Sequence, residues 1–202
     1  MKHWITGVLA AMTLIGAAQA GASIAWEQKR SHDGIVISTG QPSGSRLMAI
    51  RGDIRLPGVD MESVLALLRD TPRMTTWWHA CREARQVSVS AQEEPLIHLL
   101  HHAPAPLMSA RDLVLQMTLT HSDQGSARLT MDSRPDALPT RKGFVRVRFF
   151  QGIWDIAPQP DGVRVTYDVW LDPVAGMPSW LAERLLLEAP YETLKALRAQ
   201  LR

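Results

Sequence analysis

The stretch from Gly143 to Arg202 limits the available folds most. It reads as closing strands, an Asp172-Pro173 to Gly176-Met177-Pro178 turn, and one long amphipathic helix that runs to the C-terminus. Ser179 is the expected N-cap. Leu181 and Leu185 lead into a stripe of Leu186, Leu194, Leu197 and Leu201, with Glu183, Arg184, Glu192, Lys195 and Arg198 mostly off it. A terminal helix after a run of strands suits a curved antiparallel sheet gripping that helix, an arrangement that encloses a cavity rather than a solid core. Binding is therefore the first expectation and catalysis the second. Pro190 falls mid-helix, where it removes a backbone hydrogen bond. It is read as a bend that follows the sheet or, in a sharper reading, as a hinge that lets the first half of the helix lift as a lid.

The other end of the chain reads as a targeting segment. Met1-Lys2-His3 is a short positive region, Trp4 to Ile15 is apolar, and Ala18-Gln19-Ala20 has the small-x-small cleavage pattern. The apolar run is shorter than the ~20 residues needed to span a bilayer. Residues 1–20 are thus expected to be a signal peptide, and 21–202 one ligand-binding domain, periplasmic or secreted. With Lys2 removed, 21 basic residues face 20 acidic ones. That balance argues against a nucleic-acid partner, which calls for a basic excess on one face. The single cysteine, Cys81, excludes an internal disulfide and reads as a small core residue.

Between these ends the pattern is mostly period two. Gly21 to Arg30 reads as a short helix or lead-in around Trp26. Gly34–Thr39 and Arg46–Leu56 form a hairpin about a Gln41-Pro42-Ser43-Gly44 turn. Asp60 to Asp70 has helical spacing with Asp60 as N-cap, and Arg73 to Cys81 is a second short helix holding Trp77 and Trp78. Strands are expected at Glu83–Ala91, Leu96–Ala103, Arg111–His121, Ala127–Ser133, Phe144–Phe150, Ile153–Pro158 and Val163–Leu171, as an antiparallel meander.

Several of these segments resemble START (StAR-related lipid-transfer) domains. They are Trp77-Trp78 with Cys81-Arg82-Glu83-Ala84, the strand entry Ala105-Pro106-Leu107-Met108-Ser109-Ala110-Arg111-Asp112-Leu113, and the closing run Gly152-Ile153-Trp154, Val165-Thr166-Tyr167, Asp172-Pro173 and Met177-Pro178-Ser179-Trp180-Leu181. Their order and spacing match over nearly the whole chain after residue 20. The resemblance implies an α+β helix-grip fold, a U-shaped antiparallel sheet around a C-terminal helix with an internal hydrophobic cavity. It also implies binding and movement of a lipid or other hydrophobic molecule. The turn departs from the pattern, because many relatives place Gly earlier than Gly176.

Strand parity nominates the binding residues. Arg111 shares a face with Leu113, Leu115, Met117 and Leu119, so it needs an acid or a ligand's polar group in an apolar interior. Glu83 is the first candidate acid, in phase with Val87 and Val89, whereas Asp112 faces the other way. The alternative ties Arg111 to backbone carbonyls at the rim. Val145, Val147 and Phe149 are assigned to the inner face against Arg146 and Arg148, with Val163, Val165, Tyr167, Val169 and Leu171 on the last strand and Trp154 beside them. The candidate ligand-binding set is Trp78, Glu83, His101, Arg111, Leu115, Met117, Phe149, Trp154, Tyr167 and Leu185. Burying a chain of about 16 carbons yields on the order of 12 kcal/mol before ordering costs, so apolar contact can supply affinity while polar groups set orientation.

His98, His101 and His102 crowd one strand, but only His98 and His102 share a face, so no metal site is expected. No G-x-S-x-G, phosphate-loop or G-x-G-x-x-G motif is present, and no cofactor is expected. The runner-up function is a cyclase- or aromatase-like enzyme using His101, Arg111 and Tyr167 in the same cavity. A third reading is an interaction module. Trp180 is a candidate for transient membrane contact. The expected state is a monomer.

Overall fold

In the computed structural model of this chain, the described residues form one ten-stranded sheet and three α-helices. The structure describes residues 24–41, 47–88, 94–104, 106, 108–171 and 179–202, excluding the side chains of 179–183 and 185. The expected signal peptide, residues 42–44 of the expected turn, the 172–178 turn and the Trp180 and Leu185 side chains lie outside the described residues.

The chain opens with β1 (Glu27–His32), β2 (Ile35–Gly40) and β3 (Met48–Pro57). α1 (Met61–Arg69), a 3-10 turn at Thr71–Arg73 and α2 (Met74–Trp77) follow. Then come β4 (Cys81–Val87), β5 (Leu96–His101), β6 (Ala110–His121), β7 (Ala127–Ser133), β8 (Phe144–Arg146), β9 (Phe150–Gln159) and β10 (Gly162–Leu171), before α3 (Ser179–Gln200). The strand order is β1-β2-β3-β10-β9-β7-β6-β5-β4, with β8 parallel to the start of β6 and every other pairing antiparallel. The N-terminal hairpins thus join the meander through β3 and β10. The sheet is curved and unclosed, with α3 in its grip, which is the helix-grip fold.

Local chemistry explains the helices. Asp60 caps α1 by accepting the Ser63 backbone N–H at 2.7 Å, and its carboxyl is held below the usual range by that bond. Val64, Leu65, Leu67 and Leu68 turn inward. The segment from Gly21 to Arg30 is not helical where it is described. Glu27–His32 is an edge strand, polar on both faces, so it carries no period that a sequence reading detects.

α3 continues through Pro190, and the described side chains that tie it down lie mainly beyond that residue. Leu186, Tyr191, Leu194 and Leu197 are buried. A Cβ on Gly52 would lie 2.5 Å from Leu194, so the helix rests directly on β3 backbone. The Tyr191 hydroxyl donates to Asp33 Oδ2 (3.3 Å), Arg198 donates to the Asp33 carbonyl (2.6 Å), and His79 N–H donates to Thr193 Oγ1 (3.1 Å). Arg30 stacks 3.4 Å from the centre of the Tyr191 ring.

Candidate functional site

The concave face is built by alternate residues of six strands. Ile50, Ile54 and Leu56 of β3 continue into Val163, Val165, Tyr167 and Val169 of β10, then Phe150, Trp154 and Ile156 of β9. Leu129 and Met131 of β7, Leu113 and Leu115 of β6, and Ile97 and Leu99 of β5 complete it. α2 adds Trp77, and Trp78 follows as its C-cap.

An aromatic chain crosses this interior. His101 meets Trp78 edge-on (centroids 6.1 Å), Trp78 stacks on Trp77 (5.6 Å), Trp77 meets Trp154 edge-on (5.8 Å), and Trp154 stacks on Tyr167 at 3.8 Å. Phe150 closes on Trp78 at 6.1 Å. Six buried side-chain atoms lack a hydrogen-bond partner among the described residues, and three of them sit on this chain: Trp77 Nε1, His101 Nδ1 and Trp154 Nε1. Such atoms each cost about 1–3 kcal/mol when left unsatisfied. Desolvation, with minor repulsion from His79 and His102, pushes the His101 pKa down to about 4, so its ring is neutral near pH 7. Burial also drives the Tyr167 hydroxyl well above its ordinary pKa and the Cys81 thiol up to about 11.

A cavity of about 650 Å³ opens where the C-terminal end of α1 faces β4–β7. Ile97, Met117, Leu119 and Leu129 are its apolar walls, and Arg69, Gln86, Gln116 and Thr118 contribute polar ones.

The predicted residues divide between these settings. Trp78, His101, Trp154 and Tyr167 belong to the aromatic chain, Leu115 is buried among the neighbouring strands, and Met117 lines the cavity. Arg111 pairs in register with His101, and its guanidinium donates to the Ser109 carbonyl at 2.8 Å. It has no acidic partner among the described residues, which matches the rim alternative. Desolvation lowers its pKa.

Glu83 does not serve Arg111. A bulge between Cys81 and Glu83 reverses strand parity, so Glu83 pairs with Leu100 on the convex side. There it lies 3.7 Å from Arg141 and 3.9 Å from Arg85. Phe149 is a second correction. Val145 and Phe149 are 43% and 39% exposed, whereas Arg146 is buried. The expected single strand Phe144–Phe150 breaks after Arg146, so Phe150, not Phe149, reaches the interior. The loop carrying Pro135, Leu138 and Pro139 covers the outer face at that point and supplies carbonyls to Arg146.

That cover encloses a group strand parity alone did not find. Asp112, fully buried, receives Arg146 through two bonds of 2.7 and 3.0 Å. His98 Nε2 lies 3.4 Å from Asp112 Oδ1, and Arg85 faces His98 Nδ1 at 3.1 and 3.3 Å. Burial lowers the His98 pKa against the pull of Asp112. Among the described residues no cluster of His, Cys, Asp or Glu could hold a metal ion.

Fold and interior together define an α+β protein whose curved sheet and terminal helix surround an apolar, aromatic-lined face. The START domain family model matches residues 10–202, and the chain belongs to that family. It is 31% identical over 196 residues to PA1579 of Pseudomonas aeruginosa, a protein without an assigned function, covering 93% of this chain and 95% of that one. The crystal structure of a STAR-related lipid transfer protein from Xanthomonas axonopodis superposes with a TM-score of 0.78 at 34% identity, over 88% of this chain and 98% of that one. Human STARD10 shares the fold at 19% identity, with a TM-score of 0.71 over 87% of this chain and 72% of its own.

Proposed function

We propose that this protein binds a lipid or similar hydrophobic molecule between its sheet and α3, and carries it rather than transforming it. One observation carries the reading. An apolar interior holds Trp77 Nε1, Trp154 Nε1 and His101 Nδ1 with no protein partner among the described residues. Burying polar atoms this way is unfavourable unless something else satisfies them, and a ligand's hydroxyl, ester or carbonyl oxygen fits the indole donors. Family membership and the lipid-transfer relative support the same class of ligand.

The seat of α3 supports the transfer part of this proposal. Its described anchors cluster from Tyr191 onward, and Pro190 supplies the missing hydrogen bond at which the first half can swing. The first half is then the gate and the second half the hinge plate. Export, a periplasmic or secreted location and a monomeric state complete the proposal, with Leu185 on the gating half and Arg111 at the rim.

Chemistry is the weaker reading. A cyclase-like site calls for His101, Arg111 and Tyr167 to converge. His101 and Arg111 are register neighbours, but Tyr167 is linked to them only through Trp78, Trp77 and Trp154.

The test is native mass spectrometry with organic extraction on purified protein. A lipid that co-purifies, or binds one-to-one from a broad mixture, is the expected result. An unchanged unliganded mass after such incubation overturns the proposal.

A further inference from the structure

One end of the sheet has the composition of a docking surface. The start of β4, the end of β5, the start of β6, β8 and the end of β10 all meet there. It is the end from which the chain leaves β10 toward α3. Val145 and Phe149, the large apolar side chains most exposed among the described residues, project from it, with the half-buried Val147 between them packed against the core.

Cations flank β8. Arg111 is the register partner of Val145, while Arg82 and Arg141 lie 5.7 and 5.3 Å from the centre of the neighbouring Phe144 ring. Lys142 follows Arg141. Arg82, Arg111 and Lys142 have no acidic partner among the described residues, and Glu83 alone offsets Arg141 and Arg85. Elsewhere Arg51 is matched with Asp168, Arg128 with Asp155, Arg164 with Asp53 and Arg148 with Asp136, while Arg30 and Arg55 have no acidic partner among the described residues. Three cations without an acidic partner, Arg82, Arg111 and Lys142, thus lie at the end where the apolar side chains protrude.

From this juxtaposition we infer that the Val145–Phe149 rim docks on an anionic lipid bilayer, the two apolar side chains entering the interface while Arg82, Arg111, Arg141 and Lys142 meet headgroup phosphates. Short apolar protrusions at an end that also carries cations match a bilayer surface, which offers negative charge at headgroup level and hydrocarbon just below it. An acidic protein would satisfy the cations but needs an apolar pocket of its own for Phe149. The inference rests on the lipid-binding reading, and it gives that lipid a route at the end where sheet and helix part.

Sedimentation with vesicles of phosphatidylcholine alone, or with a third phosphatidylglycerol, tests it at low and high salt. The expected result is binding at least tenfold stronger to the anionic vesicles and weakened by salt. Val145→Asp with Phe149→Asp should reduce it about tenfold or more, and Arg82→Gln with Lys142→Gln by roughly tenfold. Both pairs lie on the surface, and circular dichroism melts confirm that they fold. Equal binding to neutral and anionic vesicles, no binding to either, or wild-type binding by the aspartate variant overturns docking. One-to-one uptake by the wild-type chain of a single-chain lipid, supplied below its micelle concentration, is measured separately. Uptake without vesicle binding rejects the docking surface alone, and vesicle binding without uptake rejects the ligand reading.

Discussion

His98 and His101 stand three residues apart on β5, on opposite faces of the same sheet, and their surroundings differ in kind. His98 sits in a charged cluster on the convex face: Arg85 faces Nδ1, Asp112 lies 3.4 Å from Nε2 without closing a hydrogen bond, and Arg146 neutralises Asp112 while three backbone carbonyls take up its remaining donors. His101 faces the concave interior, with Trp78 against its ring and nothing on Nδ1. Burial disfavours the charged form of both rings. The polar cluster that holds the fold together is nearly complete by itself, whereas the polar atoms on the concave side are unfinished. Unfinished hydrogen bonding in an apolar interior is what a binding protein keeps for its ligand.

The sharpest way to break this contrast is to open the closed cluster. Arg146→Met leaves Asp112 buried without its partner and should cost about 3–5 kcal/mol in urea denaturation, with ligand uptake by the folded fraction unchanged. A cost under ~1 kcal/mol would mean that the pair is not a structural element.

Acid is the next probe. His101 has a folded pKa of about 4, below its unfolded value near 6.5, so the unfolded chain takes up the proton first. The neutral ring's stabilisation is complete above pH 6.5 and is lost as pH falls toward 4, by on the order of 3 kcal/mol. His98 acts in the same direction. His101→Leu should flatten much of that slope in denaturation curves taken from pH 7 to pH 4, and an unchanged slope would place the proton elsewhere.

The same substitution at the two histidines sharpens the comparison further. His98→Leu strands Arg85 and Asp112 and should destabilise by about 1–3 kcal/mol, with lipid affinity intact. His101→Leu removes an unpaired buried nitrogen, so stability near pH 7 should hold or rise slightly while lipid affinity drops roughly tenfold. Isothermal titration beside thermal melts reads both quantities, and matching effects at the two positions would erase the distinction.

The smallest effect concerns the helix seat. Gly52→Ala pushes a methyl toward Leu194 and should cost about 1–2 kcal/mol. Faster lipid exchange would accompany it if the second half of α3 is the fixed plate.

Much of this was legible in the sequence. Periodicity located α1, its Asp60 cap, β7 to the residue, and α3 from Ser179, because those segments bury one face and repeat cleanly. The motifs around Trp77-Trp78 and Arg111-Asp112 carried the family resemblance. Parity failed where geometry is set by something other than alternation. The bulge near Arg82 turned Glu83 outward, and the chain break after Arg146 exchanged Phe149 for Phe150. The Asp112–Arg146 pair was hidden for a related reason: an outward face reads as solvated, and nothing in the local pattern announces that the 134–143 loop returns to cover it. Edge strand β1, charged on both sides, had no pattern to read.

The most direct test of the account is the ¹⁵N-indole spectrum of the chain, with Trp signals assigned through Trp→Phe variants, before and after a lipid binds one-to-one. Trp77 and Trp154 should shift as their Nε1–H groups gain a partner, while Trp170, equally unpaired but on the outer face, should stay in place. Bound lipid with Trp77 and Trp154 unmoved would contradict the claim that these unpaired atoms mark the ligand site.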